Sequence, residues 1–202
     1  MDRNDELYKA GLLLHGHKCP AMPMGLRAGL AALEALGVPR AADGQLTALV
    51  EIDSEHCATC YADGIQMATG CTFGKGNIRK LGYGKFVLTL VEVKTGRSVR
   101  VATRNEVIKR NQESEFIQYR KNNVPASKID PALVEPNIDF ILDAATEDLF
   151  KIGRSPRSSC PPAGRTTSTP SSAPNAARWR SSATAASRTG RSSACRARRR
   201  AR

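Results

Sequence analysis

After residue 150 the chain stops supplying the side chains from which a core is built. Between Lys151 and Arg202 there are thirteen Lys and Arg residues, no Asp or Glu, and, beyond Ile152 and Trp179, almost no large apolar side chain. Arg, Ser, Ala, Pro and Thr fill this stretch. It cannot bury enough apolar surface to offset its ordering entropy, so a disordered tail is expected over 151–202. The fold must therefore come from residues 1–150, which is enough for one domain with its own core. The formal net charge is +12, yet the first 150 residues hold eighteen basic against nineteen acidic side chains. The basic signal is thus confined to the tail. An arm that contacts nucleic-acid phosphates is one reading of it, but Trp179 is its only stacking side chain and no base-reading module is visible.

Hydropathy patterning along 1–150 predicts an α+β domain, with helices packed on a small, mainly antiparallel sheet. Residues 4–14 place Leu7, Ala10, Gly11 and Leu14 at helical spacing. Met22–Leu36 reads as a second helix, stopped by Gly37. Its Gly25, Ala28, Gly29 and Ala32 form a small-residue face that lets another backbone approach closely. Leu46–Ile52 is a strand candidate. A helix is expected over Cys60–Thr69, capped by Thr59 and ended by Gly70. Phe86–Val93 and Ser98–Thr103 read as a hairpin joined by Lys94–Arg97. Asn105–Arg120 is polar and helical, and Pro131–Phe150 reads as a last amphipathic helix with Ile138, Ile141, Leu142, Ala145 and Leu149 on one side. No apolar run is long enough to span a membrane, and the acidic start Met1–Glu6 lacks the apolar core of a signal peptide. A cytoplasmic protein with reduced cysteines is therefore expected.

Two segments concentrate reactive side chains. His15-Gly16-His17-Lys18-Cys19-Pro20 places two of the three histidines and one of the six cysteines within five residues. In extended backbone, residues 15, 17 and 19 point the same way. Two imidazoles and a thiolate on one side nearly complete a ligand set for zinc or a similar divalent transition metal. The plain alternative is a polar loop that holds histidines.

The second segment is His56-Cys57-Ala58-Thr59-Cys60. In the first turn of the expected helix, Cys60 would have its thiolate stabilised by free N–H groups and the helix dipole, and it would complete the metal site. Asp63, one turn on, could orient a ligand or accept a proton; Cys60 and Asp63 are the catalytic candidates. Cys57 and Cys60 also make a C-x-x-C, which raises a thiol-redox reading, although the βαβ context of that motif is missing. Gly70–Asn77 is glycine-rich and contains Lys75. It is not a P-loop, because Lys75 is followed by Gly76 and a helix precedes it. Either it is a loop that turns N–H groups and Lys75 toward an anionic cofactor, or it is simply a turn.

The strings HGHKCPAMPMGLRAG and CYADGIQMATGCTFGKGN together resemble the signature of the E-subunit family of formylmethanofuran dehydrogenase, over roughly residues 5–150. The resemblance implies an α+β core, usually dimeric, and a metal site of His15, His17, Cys19 and Cys60 with Asp63 as the helix aspartate. It implies an accessory or partner of a molybdenum or tungsten dehydrogenase, or a stand-alone protein using the same site. Ala21 stands where the family often has glycine. Many members also end in a small zinc-binding domain with two C-x-x-C pairs, whereas this tail has only Cys160 and Cys195. Shifting the reading frame restores such pairs with allowed codons: C-A-E-C-G-E-M across Ser172–Trp179 and V-C-M-P-C across Arg191–Ala197. Their C-x₂-C-x₁₇-C-x₂-C spacing suits a structural zinc site, so the tail reads as a frame-shifted zinc domain.

Overall fold

A computed structural model describes residues 1–53 and 56–155 of the chain. The backbone divides into two units, Met1–Gly164 and Arg165–Arg202. The second unit, with the expected disorder and the zinc-domain spacing of the tail, lies outside the described residues.

The elements run α1 (Glu6–His15), α2 (Ala21–Leu36), β1 (Leu46–Val50), α3 (His56–Thr69), β2 (Ile78–Lys80), β3 (Val87–Glu92), β4 (Ser98–Thr103), α4 (Asn105–Gln112), α5 (Glu115–Lys121), a short 3₁₀ turn, α6 (Pro131–Asp143), α7 (Thr146–Leu149) and β5 (Phe150–Ser155). The sheet order is β2-β1-β3-β4-β5, with β1 and β2 parallel and the other pairs antiparallel. The α+β expectation is met.

Alternation of side chains sets which face of the sheet is buried. The register brings Ala48 beside Leu90 and Leu90 beside Val99. Those residues, with Val50, Leu88 and Val101, are fully buried in one apolar cluster. Thr89 and Arg100 point the other way, and Arg100 forks onto Glu51 through contacts of 2.9 and 3.0 Å. A second apolar cluster joins Tyr8, Met22, Leu26, Phe116, Ile138 and Leu142. Cys19 and Cys60 are members of this second cluster, so the sulfurs sit at the edge of a helical core.

The small-residue face of α2 meets a glycine on α3. A Cβ at Gly25 would stand 1.9 Å from the Tyr61 carbonyl oxygen, and one at Gly29 would stand 2.4 Å from the Ala68 Cβ. From the other side, a Cβ on Gly64 would stand 2.0 Å from the Met22 carbonyl oxygen and 2.3 Å from the Leu26 nitrogen. Backbone touches backbone here, which only glycine allows. Arg27 ties α2 to the end of α6. Its Nη1 donates to the carbonyls of Ile141 and Leu142 at 2.7 and 2.8 Å, and its Nη2 donates to that of Ala144 at 2.8 Å, satisfying carbonyls that the helix end leaves open.

Four expectations need correction. α3 begins at His56 rather than Cys60, so Thr59 is not its cap and Cys60 lies in the second turn, past the free N–H groups. The 105–120 helix breaks in two, because Ser114 leaves helical backbone and its hydroxyl caps α5 by accepting from Ile117 N. The last helix stops at Asp143; Ala145 is exposed, and Phe150–Ser155 forms an edge strand that pairs with β4. The ordered core thus runs past the compositional boundary at 150. Finally, Leu14 is 56 % exposed, since only Tyr8 and Gly11 of α1 are buried.

Candidate metal centre

Gly16 ends α1 in left-handed backbone at φ 83°. That turn leaves His15 on the last helical position and swings residues 17–19 back over it before α2 begins behind Pro20. Cys60 and Asp63 are three residues apart on α3, so they share one face. The α2–α3 glycine contact fixes how far Cys19, just ahead of α2, stands from Cys60.

These constraints bring four donors together. One ligand atom from each of His15, His17, Cys19 and Cys60 lies within 4.8 Å of all the others. His15 Nε2 is 3.1 Å from His17 Nε2 and 3.3 Å from Cys19 Sγ. Tetrahedral zinc, with Zn–N of 2.0–2.1 Å and Zn–S of 2.3 Å, would set these edges at about 3.4 and 3.6 Å. These two edges therefore need to widen only by about 0.3 Å. Both cysteines are buried, and the His15 side chain is 6 % exposed.

Asp63 supplies the outer partner. Its Oδ2 lies 2.8 Å from His15 Nδ1, which holds a proton on Nδ1 and leaves Nε2 to face the cluster. Gln66 Nε2 donates to the other carboxylate oxygen at 3.3 Å. Burial by itself would lower the His15 pKa, but the contacts with Asp63 and Cys60 outweigh it and push the pKa up to about 9. The hydrogen bond from Cys19, helped by His15, holds the Cys60 thiol well below its ordinary value. Serving that thiolate, together with burial, raises Cys19 well above the ordinary value. The metal-free site is thus a Cys60 thiolate clamped between the Cys19 thiol and a charged His15. The thiolate was expected from the helix N-terminus; its actual cause is these two neighbours.

Of the site residues expected from sequence, His15, His17, Cys19, Cys60 and Asp63 converge, and Lys75 does not. The Lys75 ammonium donates to the carbonyls of Ala41 and Ala42 at 3.2 and 3.0 Å, beyond the far end of α3, about 13 Å along the helix from Cys60. Asn77 braces the same loop through Asp43 and Leu46, so the glycine-rich segment is a tied turn. The side chain of Cys57 lies outside the described residues. Sequence reading missed the wall beside the cluster, built by Ile108, Phe116 and Ile117. The available signal was a handful of apolar residues in an otherwise polar stretch.

If Asp63 orients His15, Asp63→Asn is expected to weaken metal binding about tenfold and Asp63→Ala up to about 100-fold. Competition against a chelating dye checks this; unchanged affinity in both variants would leave Asp63 without that role.

Fold and site define a small α+β protein with a two-histidine, two-cysteine cluster at the edge of its helical core. Residues 14–151 match the family model described as "FmdE, Molybdenum formylmethanofuran dehydrogenase operon". That is more than half of the 202 residues, and the chain belongs to this family. It is similar to a "Probable S-adenosyl-L-methionine-binding protein" of Archaeoglobus fulgidus, with 37 % identity over 108 residues, which cover 52 % of this chain and 28 % of that protein. The chain therefore matches little more than a quarter of that relative's length. Among solved structures it is similar to a tungsten formylmethanofuran dehydrogenase FmdE-like protein from Syntrophus aciditrophicus, at 22 % identity and a TM-score of 0.46, over 73 % of this chain and 70 % of that one. Among the described residues, no helix is long and apolar enough to cross a membrane.

Proposed function

We propose that the core is a metal-binding module that holds one divalent transition ion, zinc by its donor set, through His15, His17, Cys19 and Cys60, with Asp63 positioning His15. Two imidazole Nε2 atoms approach to 3.1 Å, with a cysteine sulfur 3.3 Å away. A proton on His15 Nε2 allows that approach without an ion; the observation that carries this reading is that the four donors converge within 4.8 Å and are of the types zinc takes. When bound, such an ion supplies Lewis acidity. The chain's own groups hold the ion, shield it on the core side and fix the tautomer of His15. Family membership supports a cytoplasmic role as an accessory of, or partner to, the subunits of a molybdenum or tungsten dehydrogenase. It equally supports a stand-alone metal protein, and either form as a homodimer.

The test is elemental mass spectrometry of the full chain purified without added metal or affinity histidines. About one transition ion per chain is expected, falling below about 0.1 in Cys60→Ser and His17→Ala. Cys57→Ser is expected to keep its metal. A metal-free wild type that resists reconstitution would overturn the reading. Activity that needs both Cys57 and Cys60 would move the dithiol alternative ahead.

A further inference from the structure

Beside the cluster lies a cavity of about 310 Å³ whose lining includes Cys19, Cys60 and His17, at the small end of the ~300–1,000 Å³ range for small-molecule sites. Its walls are contributed by Met24, Phe86, Ile108, Phe116 and Ile117, drawn from α2, the residue just before β3 and the α4–α5 pair. We propose that this cavity binds a compact, uncharged organic molecule: an aromatic or branched-aliphatic body with one neutral N–H or O–H group directed at the Cys19 and Cys60 sulfurs, since four protein donors leave a tetrahedral ion no open position. The inference rests on the metal-binding reading above.

Three observations set the class. Most of the exposed lining is apolar, with Asn111 and Gln112 as its neutral polar side chains, so a buried body is stabilised in proportion to its apolar area and a neutral polar group on it finds partners. An ion held by two thiolates and two neutral imidazoles has no net charge, and Asp63 adds a negative one beside it, so the floor does not attract an anion. Among the charges on the lining, Asp53 offsets one of two cations, Arg120 and Lys121. Arg120 already donates to the Val124 carbonyl at 2.5 Å. A second, more open cavity lies against His15 and His17 on the side of Asn123 and Pro125. Solvent therefore reaches the imidazoles without crossing the apolar chamber, which leaves that chamber to an organic body.

The probes are 4-phenylimidazole (neutral N–H group plus apolar body), imidazole (N–H group alone) and benzoate (similar body with a charge). They are titrated into the cobalt-substituted full-length protein, whose visible bands report on the ion's surroundings. Metal content is measured on the same samples. 4-Phenylimidazole is expected to shift the bands and to bind on the order of tenfold more tightly than either comparator. Ile108→Trp and Ile117→Trp project a larger ring from half-buried wall positions, and each is expected to abolish that advantage at unchanged metal content. Equal binding of 4-phenylimidazole and imidazole by the loaded wild type would overturn the cavity proposal and leave the metal reading standing. So would an advantage that survives both Trp variants. A wild type that takes up no cobalt would overturn both, and the metal assay tells these cases apart.

Discussion

Gly64→Ala is expected to destabilise the protein by about 3 kcal/mol, at the upper end of the cost of overpacking, and to lower Tm by about 6–12 °C. The added methyl would stand 2.0 Å from the Met22 carbonyl oxygen and 2.3 Å from the Leu26 nitrogen. Both are backbone atoms of α2, so no side-chain rotation relieves the clash and the helices must separate. Gly25→Ala meets the Tyr61 carbonyl oxygen at 1.9 Å from the opposite side and should cost a similar amount. Gly11→Ala is the milder comparison, because its nearest neighbour is the flexible end of Met22 at 3.0 Å. At Gly74 a Cβ meets nothing within 4 Å, and alanine there should be nearly neutral. Thermal unfolding of the four variants gives the ordering, and equal Tm values for Gly64→Ala and Gly74→Ala would refute it. Separation of α2 from α3 also moves Cys19 away from Cys60, so metal content should fall together with stability in the first two variants only.

The close contact behind this prediction was partly legible in the sequence. Gly25, Ala28, Gly29 and Ala32 at helical spacing announce a face without bulk. Only the fold shows that Gly64 answers them, because a single glycine in a helix has many explanations. Part of the donor cluster was legible for a related reason: His15, His17 and Cys19 are close along the chain, and short range needs no tertiary knowledge. Cys60 required the long-range packing of two helices; it was singled out as a thiolate at an expected helix start, a placement the fold corrects, and by the resemblance of its Cys60-x-x-Asp63-x-Ile65-Gln66 string. The edge strand at Phe150–Ser155 escaped because only Phe150 and Ile152 of its six residues are apolar, and its pairing with β4 is decided by the neighbouring strand rather than by its own propensity. Lys75 misled for the opposite reason. A lysine in a glycine-rich loop has the composition of an anion site, yet the carbonyls of Ala41 and Ala42 satisfy it, and local sequence does not record such partners.

Metal uptake near pH 7 is expected to release at least two protons per chain and to tighten by at least about 100-fold for each unit rise in pH, since each proton displaced contributes about tenfold per unit. The sign follows from the metal-free protonation pattern. His15, with its pKa raised to about 9, still carries a proton on Nε2 at pH 7 and must give it up, while the Nδ1 proton stays hydrogen-bonded to Asp63. Cys19, raised by its hydrogen bond to Cys60 and by burial, is a thiol and must also lose its proton. Cys60, held low by the Cys19 hydrogen bond and then by His15, is already a thiolate and releases none. Affinity therefore climbs with pH, and its slope falls toward tenfold per unit as pH passes about 9, where His15 no longer has a proton to lose but the Cys19 thiol still does. Calorimetric titration of zinc in buffers of different ionisation enthalpy counts the protons directly. Asp63→Ala separates the contributions: removing the carboxylate lets His15 fall toward its ordinary value, so fewer protons should be released even as affinity drops. A wild-type count of one or none would mean that the metal-free site does not hold the Cys60 thiolate between a Cys19 thiol and a charged His15.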